Sequence, residues 1–452
     1  MKSESKTGTI GSVNSDLTKC RRWLLAPAAM LAILMTFAVS AIARADESGA
    51  STEQLPPIPV TLIYTFGMLG GTGCANLDGA DPKGSLTFAN GLLFGSTSST
   101  TAKGNGNGII FHIDPAGTNY SIDHLFTGGV DGNDPENNAM TLNGSVLYGT
   151  TLLGGDNRSG TIFRINDDGT EYSSLPLFAG SGVKNKGNQP FSTFALSNGV
   201  LFGMTSLGGS KHTPIGDGTI FSFDPQTTNY TVIHSFNRTI GSDPHGRPII
   251  DPTGTTLYGM TQTGGLHKVG IIFSLNPATC GGNVCARKFV DLHNFNCPHQ
   301  LTPTCVDPHD GASPDHGTLV QSGTKLFGMT TAGGQFGMGT IFSLALTGTK
   351  HFKVLHSFGA SPIDGQNPLG SLMLNGSTLY GTTNRGGKAG LGTVFQIDTN
   401  GKNYMHLHDF QGGNSDGANP SDDVILVGNT LYGMTEAGGK CGHGVIFSIA
   451  LQ

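Results

Sequence analysis

The sequence predicts an all-β protein, a seven-bladed β-propeller of four-stranded antiparallel blades whose ring is closed by an N-terminal strand completing the last blade. Three observations predict it. A phrase seen as Leu379-Tyr380-Gly381-Thr382-Thr383, Gly386-Gly387 and Gly392-Thr393-Val394-Phe395 recurs seven times in varied form. Its marker glycines, Gly95, Gly149, Gly203, Gly259, Gly328, Gly381 and Gly433, are spaced by 54, 54, 56, 69, 53 and 52 residues, a period of one propeller blade and too long for a β-helix coil. Finally, the array opens on a lone strand and ends three strands into a copy.

The elements follow in chain order. Lys19, Arg21 and Arg22 precede an apolar run from Trp23 to Ala43 and the small-x-small triplet Ala43-Arg44-Ala45, the pattern of a signal peptide with its cleavage site. Residues 1–45 are therefore read as a signal peptide, 46–59 as a linker and 60–452 as the propeller. The alternative is an uncleaved anchor, because about 20 apolar residues span a bilayer. Both readings export the repeats, secreted or periplasmic, and after cleavage no stable membrane span is expected.

The sixth copy shows one blade. Ser371 to Leu374 is a first strand, and Asn375-Gly376 makes the turn that two-residue hairpins favour. Thr378 to Thr383 is a second strand, and a Gly-rich stretch leads to a third, Thr393 to Ile397, which alternates apolar and polar residues. Tyr404 to Phe410 is the fourth. Val60 to Phe66 resembles a fourth strand with no first three, whereas Val424–Val427, Thr430–Thr435 and Val445–Ile449 are three strands lacking a fourth. Joining them closes the ring and removes exposed edges.

Composition excludes other classes. Gly is 70 of 452 residues, yet it is periodic and sits at turns, which argues against disorder or collagen. Charged residues are 12% and the net charge is -6, with no basic stripe of the kind a nucleic-acid binder carries. The expected protein is a monomer without a cofactor.

Cys20 leaves with the signal segment, and six cysteines remain: Cys74, Cys280, Cys285, Cys297, Cys305 and Cys441. An even count in an exported chain favours disulfides. Cys441 lies in the second-to-third-strand loop of the closing blade. Cys74 follows the strand that completes that blade, so the two are expected to latch the ring. Cys280 and Cys285, in a widened hairpin, and Cys297 and Cys305, in a widened loop, are expected to pair locally. Cys297, His299, Cys305 and His309 are also four potential zinc ligands within 13 residues, but their spacing matches no common zinc motif, and disulfides are preferred.

A loop Asp-Gly-x-x-Pro leads into each blade, with Asp78, Asp131, Asp310, Asp364 and Asp416 in place and Lys186 and His245 read as the two divergent copies. These seven side chains are expected to ring one face, the ligand-binding candidates of a concave centre. The plainer reading is turn chemistry, the carboxylate bonding its own backbone. A feature of nearly every blade serves the blade, so the divergent copies are the informative ones. His124, His234, His293, His356 and His408 each precede a Phe by two at the end of a fourth strand, with Tyr64 and Pro176 replacing them elsewhere. One per blade, they are too dispersed for a catalytic pair, and a structural hydrogen bond is expected. The aromatic residue before each marker glycine, and the Phe of each third strand, read as packing between blades.

No nucleophile elbow, phosphate loop or dinucleotide fingerprint stands out; Gly104 to Gly108 is Gly-rich but precedes a strand. The phrase Leu147 to Thr151, Gly154-Gly155 and Gly160 to Phe163 resembles the Gloeo/Verruco (GloVer) tandem repeat of exported bacterial proteins across nearly all of the mature chain. The resemblance implies an exported repeat protein and no family-wide activity. Members often carry a C-terminal anchoring segment, whereas Ile446 to Gln452 ends inside the fold. Kelch propellers share the Gly-Gly doublet, but their characteristic Trp is missing, since the single Trp is Trp23. The role expected is a binding or interaction module for a glycan or a cell-surface protein. One alternative is an extracellular carbohydrate-active or other hydrolase, with Asp131, Asp310, Asp364 and Asp416 as acid and base; another is a structural envelope protein.

Overall fold

The computed structural model describes residues 59–451 except 69–73, 75–77, 101–105, 136–138, 179–185, 210–214, 278–287, 297–309 and 349–350. The signal segment, Cys280, Cys285, Cys297, Cys305 and the Cys/His cluster at 297–309 lie outside the described residues. Residues 56–452 form one compact unit. Among the described residues no helix is long and apolar enough to cross a membrane.

Seven four-stranded antiparallel sheets follow one another around a ring. Blade 1 runs from Thr87–Ala89 to Ser121–Leu125, blade 2 from Thr141–Asn143 to Ser173–Leu175, and blade 3 from Ala195–Ser197 to Asn229–Ser235. Blade 4 runs from Ile249–Ile250 to Phe289–Asn294, blade 5 from Val320–Ser322 to Phe352–Ser357, and blade 6 from Met373–Asn375 to Met405–Asp409. Blade 7 takes three strands, Ile425–Val427, Thr430–Thr435 and Val445–Ala450, from the C-terminus. Its fourth is Val60–Thr65, antiparallel to the last with Val60 opposite Ile449 and Thr65 opposite Val445. Cys74 and Cys441 form a disulfide at this seam.

The repeated phrase has a steric cause. Each marker glycine lies directly opposite the Phe of the third strand, as Gly381 does Phe395 and Gly149 does Phe163. A Cβ there would stand 2.6 Å from the Phe395 ring, or 2.2 Å from that of Phe163, so the ring can lie across the backbone only over glycine. The Phe then packs with residues of the preceding blade around the ring. Phe111 clusters with Tyr432, Met434 and Ile446 of blade 7, and Phe447 with Tyr380 and Val394 of blade 6. One such cluster fills every seam between blades. The inner hairpin turns are of two kinds. Asn90-Gly91 and Asn198-Gly199 have positive φ at both residues, the backbone of a type I′ turn, whereas in blade 6 Asn375 pairs with Thr378, so the turn is Gly376-Ser377 and not the expected Asn375-Gly376, with Gly376 at positive φ.

A bulge interrupts the fourth strand in six of the seven blades. In blade 6, His408 pairs with Val394 and His406 with Phe395, leaving Leu407 as the extra residue; blades 1, 3, 4 and 5 repeat this, as does the closing strand, between Leu62 and Tyr64. Bulges turn a strand and re-aim a side chain, here the His or Tyr that follows the extra residue. In blade 2, where Pro176 stands in place of His, the fourth strand ends at Leu175, because proline has no N–H to continue the ladder.

Candidate functional site

The lead-in loop and the fourth-strand His are one device. The Asp416 carboxylate accepts the Gln411 and Gly417 amides, each at 2.8 Å, and lies 3.0 Å from His408 Nε2. Asp364 accepts the amides of Gly359, Ala360 and Gly365 at 2.8–3.0 Å and lies 3.3 Å from His356 Nε2. Asp131 faces His124, Asp310 faces His293, and Asp78 accepts the Tyr64 hydroxyl at 2.7 Å. Each carboxylate thus ties the exit of one blade to the lead-in of the next. The same His stacks on the aromatic residue that opens the following blade's fourth strand, as His356 does on Tyr404 and His293 on Phe352. Burial alone would raise the Asp364 and Asp416 pKa values; the nearby His356 and His406 imidazoles with backbone amides, and His408 with backbone amides, outweigh it and hold both below the ordinary 3.8. The glycine after each Asp is pressed against the last Thr of the second strand: a Cβ at Gly365 would lie 2.6 Å from the Thr383 methyl.

That glycine fixes the register and corrects one assignment. In blade 4 the residue against the Thr261 methyl is Gly241, so the loop reads Ile240-Gly241-Ser242-Asp243-Pro244 and the seventh ring position is Ile240. His245 is not part of the ring; it follows the proline. Lys186 does occupy its ring position, exposed, ahead of Gly187. It faces the one blade exit that ends in Pro176, so His and Asp are lost together at that junction.

His245 instead points to the ring axis. A void of about 20 Å³ there is lined by residues of all seven blades, among them Ser85, Ser192, His245, His316, Ser371 and Asp422. The side chains around it are linked: the Arg247 amide donates to Thr318 Oγ1, the Thr318 amide to Ser371 Oγ, the Ser371 amide to Asp423 Oδ1, and the Asp423 amide to Ser85 Oγ. Burial, and then the carboxylate of Asp423, push the Asp422 pKa well above its ordinary value.

On one side of this axis the imidazole of His245 bridges two carboxylates, with Nδ1 2.8 Å from Asp315 Oδ1 and Nε2 2.9 Å from Asp243 Oδ1. Burial would lower its pKa, but hydrogen bonds to Asp243 and Asp315 raise it to about 9. Gln262 Nε2 donates to Asp315 Oδ1 at 2.8 Å, and His316 Nε2 lies 3.4 Å from the same oxygen. Phe191 stacks on His245 at 4.2 Å and on His316 at 5.8 Å. One donor atom each from His245, Asp315 and His316 lies within 4.8 Å of the others, a set able to hold a metal ion. Sequence reasoning missed Asp243, Asp315, His316 and Phe191. Aligning the residue after each lead-in proline would have found Phe191 and Asp315, because this position reads Lys83, Glu136, Phe191, His245, Asp315, Leu369 and Ser421; Asp243 and His316 are sequence neighbours of that position and carry no signal of their own.

Asp243 also lines a cleft of about 900 Å³ between blades 3 and 4, on the face of the Gly-rich loops. Its walls include Asp217, Arg238, Lys268 and Asn294, with Ile215 49% and Leu266 76% exposed. Asp217 is buried, and Arg238 Nε lies 3.5 Å from its Oδ1. The cleft opens beside Ile240, where the blade-tying carboxylate is missing.

Among solved structures the chain is similar to the extracellular domain assigned to a hybrid two-component system of B. thetaiotaomicron, at 13% identity over 85% of this chain and 40% of that one, with a TM-score of 0.50. It is also similar to a gluconolactonase of Xanthomonas campestris, at 11% identity over 87% and 90% with a TM-score of 0.41, and to TolB of Acinetobacter baumannii, at 14% over 80% and 80% with a TM-score of 0.37. At these identities the likeness concerns the fold alone. No curated protein matches the chain. The Gloeobacter/Verrucomicrobia repeat matches residues 65–273, 184–373 and 299–452, and with this coverage of the blades the chain belongs to the Gloeobacter/Verrucomicrobia repeat family.

Proposed function

We propose that this chain is an exported binding module that takes an extended segment of a cell-surface protein into the cleft between blades 3 and 4. The observation that carries the reading is the cleft itself, open at the junction where the ring's repeated carboxylate gives way to Ile240 and walled by both charges and exposed aliphatic side chains. Arg238 and Lys268 suit an acidic side chain, Asp217 and Asp243 a basic one, and Ile215 and Leu266 an apolar residue between them. None of the described residues lining the cleft is aromatic, which favours a peptide over a glycan stacked on a ring platform. Binding is favoured over hydrolysis because the ring carboxylates are engaged by backbone amides in separate loops. Export is supported by the N-terminal pattern of Lys19 to Ala45 and by the Cys74–Cys441 bond, which belongs to an oxidising compartment.

The test is cross-linking of the purified protein to intact cell surfaces, alongside peptide and glycan arrays, with Arg238→Ala and Leu266→Ser as paired variants. Loss of peptide binding by at least tenfold in both folded variants supports the reading. Binding unchanged in both, or confined to glycans, overturns it.

A further inference from the structure

We propose that His245, Asp315 and His316 bind one divalent transition-metal ion at the ring axis, through His245 Nδ1, Asp315 Oδ1 and His316 Nε2. The site is distinct from the peptide cleft and stands whether or not that cleft is used.

Geometry carries the inference. A tetrahedral zinc-like ion with bonds of about 2.1 Å places its donors about 3.4 Å apart. His316 Nε2 is 3.4 Å and His245 Nδ1 2.8 Å from Asp315 Oδ1, and the donor atoms of the three residues lie within 4.8 Å of one another. The trio therefore closes on an ion once the His245–Asp315 pair opens by about half an ångström and the two imidazole nitrogens settle at the tetrahedral separation. The ion takes the place of the proton shared between His245 and Asp315. Metal-bound histidines characteristically donate their other ring nitrogen to a carboxylate, and Asp243 Oδ1 accepts from His245 Nε2 at 2.9 Å. Gln262 fixes the Asp315 carboxylate, and Phe191 stacks against both imidazoles. These partners position the donors without binding the ion.

Two imidazoles and one carboxylate suit zinc, nickel, copper or iron, whereas calcium and magnesium prefer all-oxygen sets. The side chains are 11–20% exposed, and the adjoining void of about 20 Å³ is large enough for one water to complete the coordination. Arg247 also lines that void, opposed by the nearby carboxylates of Asp243, Asp315 and Asp423. The three donors come from the lead-in loops of blades 4 and 5, which no other pair of blades duplicates: the equivalent positions elsewhere hold Lys83, Glu136, Phe191, Leu369 and Ser421.

The experiment uses the purified protein, stripped with chelator and titrated with Zn²⁺ by calorimetry and with Co²⁺ by visible absorption. The expected result is one equivalent of either ion and a Co²⁺ spectrum without a thiolate charge-transfer band. Affinity should fall at least a hundredfold in His316→Ala and in Asp315→Asn, and ten- to a hundredfold in Asp243→Asn. The absence of stoichiometric binding overturns the proposal, as does affinity unchanged in the ligand variants. A thiolate band assigns the metal to the Cys297 region and overturns it equally. The wild-type spectrum decides the ligand type even if one variant fails to fold, and Asp315→Asn preserves the side-chain volume.

Discussion

Breaking the closing bond should cost more than any single contact in the ring. Cys74 and Cys441 are 367 residues apart, and the chain-entropy relation for a cross-linked loop gives about 6 kcal/mol at 25 °C for that length. Compaction of the denatured chain reduces the benefit, so a loss of about 3–6 kcal/mol is expected for Cys74→Ser/Cys441→Ser, the double change leaving no odd thiol to reshuffle. Unfolding entropy of roughly 2.1 cal/mol/K per residue over about 390 residues is about 0.8 kcal/mol/K. The melting temperature should therefore fall by about 4–7 °C. Differential scanning calorimetry of both proteins reads the shift, and non-reducing peptide mapping of the wild type reads the bond. A shift below about 1 °C, with the bond mapped as intact, would refute the reasoning. It would mean that pairing of Val60–Thr65 with Val445–Ala450 leaves the covalent link nothing to add.

Three further outcomes are expected. Gly381→Ala puts a methyl 2.6 Å from the Phe395 ring, and overpacking of this kind costs about 1–3 kcal/mol; guanidinium unfolding should show the midpoint falling, with the larger change at Gly149, where the distance is 2.2 Å. Asp364 and Asp416 have folded pKa values below the ordinary 3.8, so the unfolded chain binds more protons in acid. Their contribution is full above about pH 4–5 and drains away as pH falls through the depressed values; stability measured from pH 7 to pH 2 should drop, and Asp416→Asn should flatten that slope. A double-mutant cycle of His408→Ala and Asp416→Ala should return a coupling of about 1 kcal/mol, whereas zero coupling would reduce their 3.0 Å contact to mere proximity.

The period and the antiparallel pattern were legible because each blade repeats the same steric bargain, Gly381 under Phe395 and Gly365 against Thr383, and five of the seven add an Asp bonded to its own loop. Seven copies of one local rule rise above sequence noise. The completion of blade 7 by Val60–Thr65 was legible for the same reason, since three strands without a fourth and a fourth without three leave unpaired edges. The bulge that turns His408 toward Asp416 was not, because it depends on a register shift between Val394 and Phe395 that no residue type announces.

The candidate sites were half legible, and the division has a physical source. A ring of seven equal blades offers every ligand seven equal places, so specificity requires asymmetry, and the asymmetry was readable at Pro176, Lys186 and blade 4. The register at blade 4 was not readable by spacing alone, because His245-Gly246 imitates the Asp-Gly pair of the other lead-in loops. The distinction lies in what each glycine meets. Gly241 takes the Thr261 methyl, as every lead-in glycine does with its own Thr, whereas a Cβ at Gly246 would be 2.1 Å from the Gly317 carbonyl oxygen of the next blade. That second contact brings the lead-in of blade 4 against that of blade 5 at the axis, and so sets His245 beside Asp315 and His316, 70 residues on. Juxtapositions of this kind belong to ring closure and not to any one copy, which is why a reading built from copies finds the blades before it finds the site.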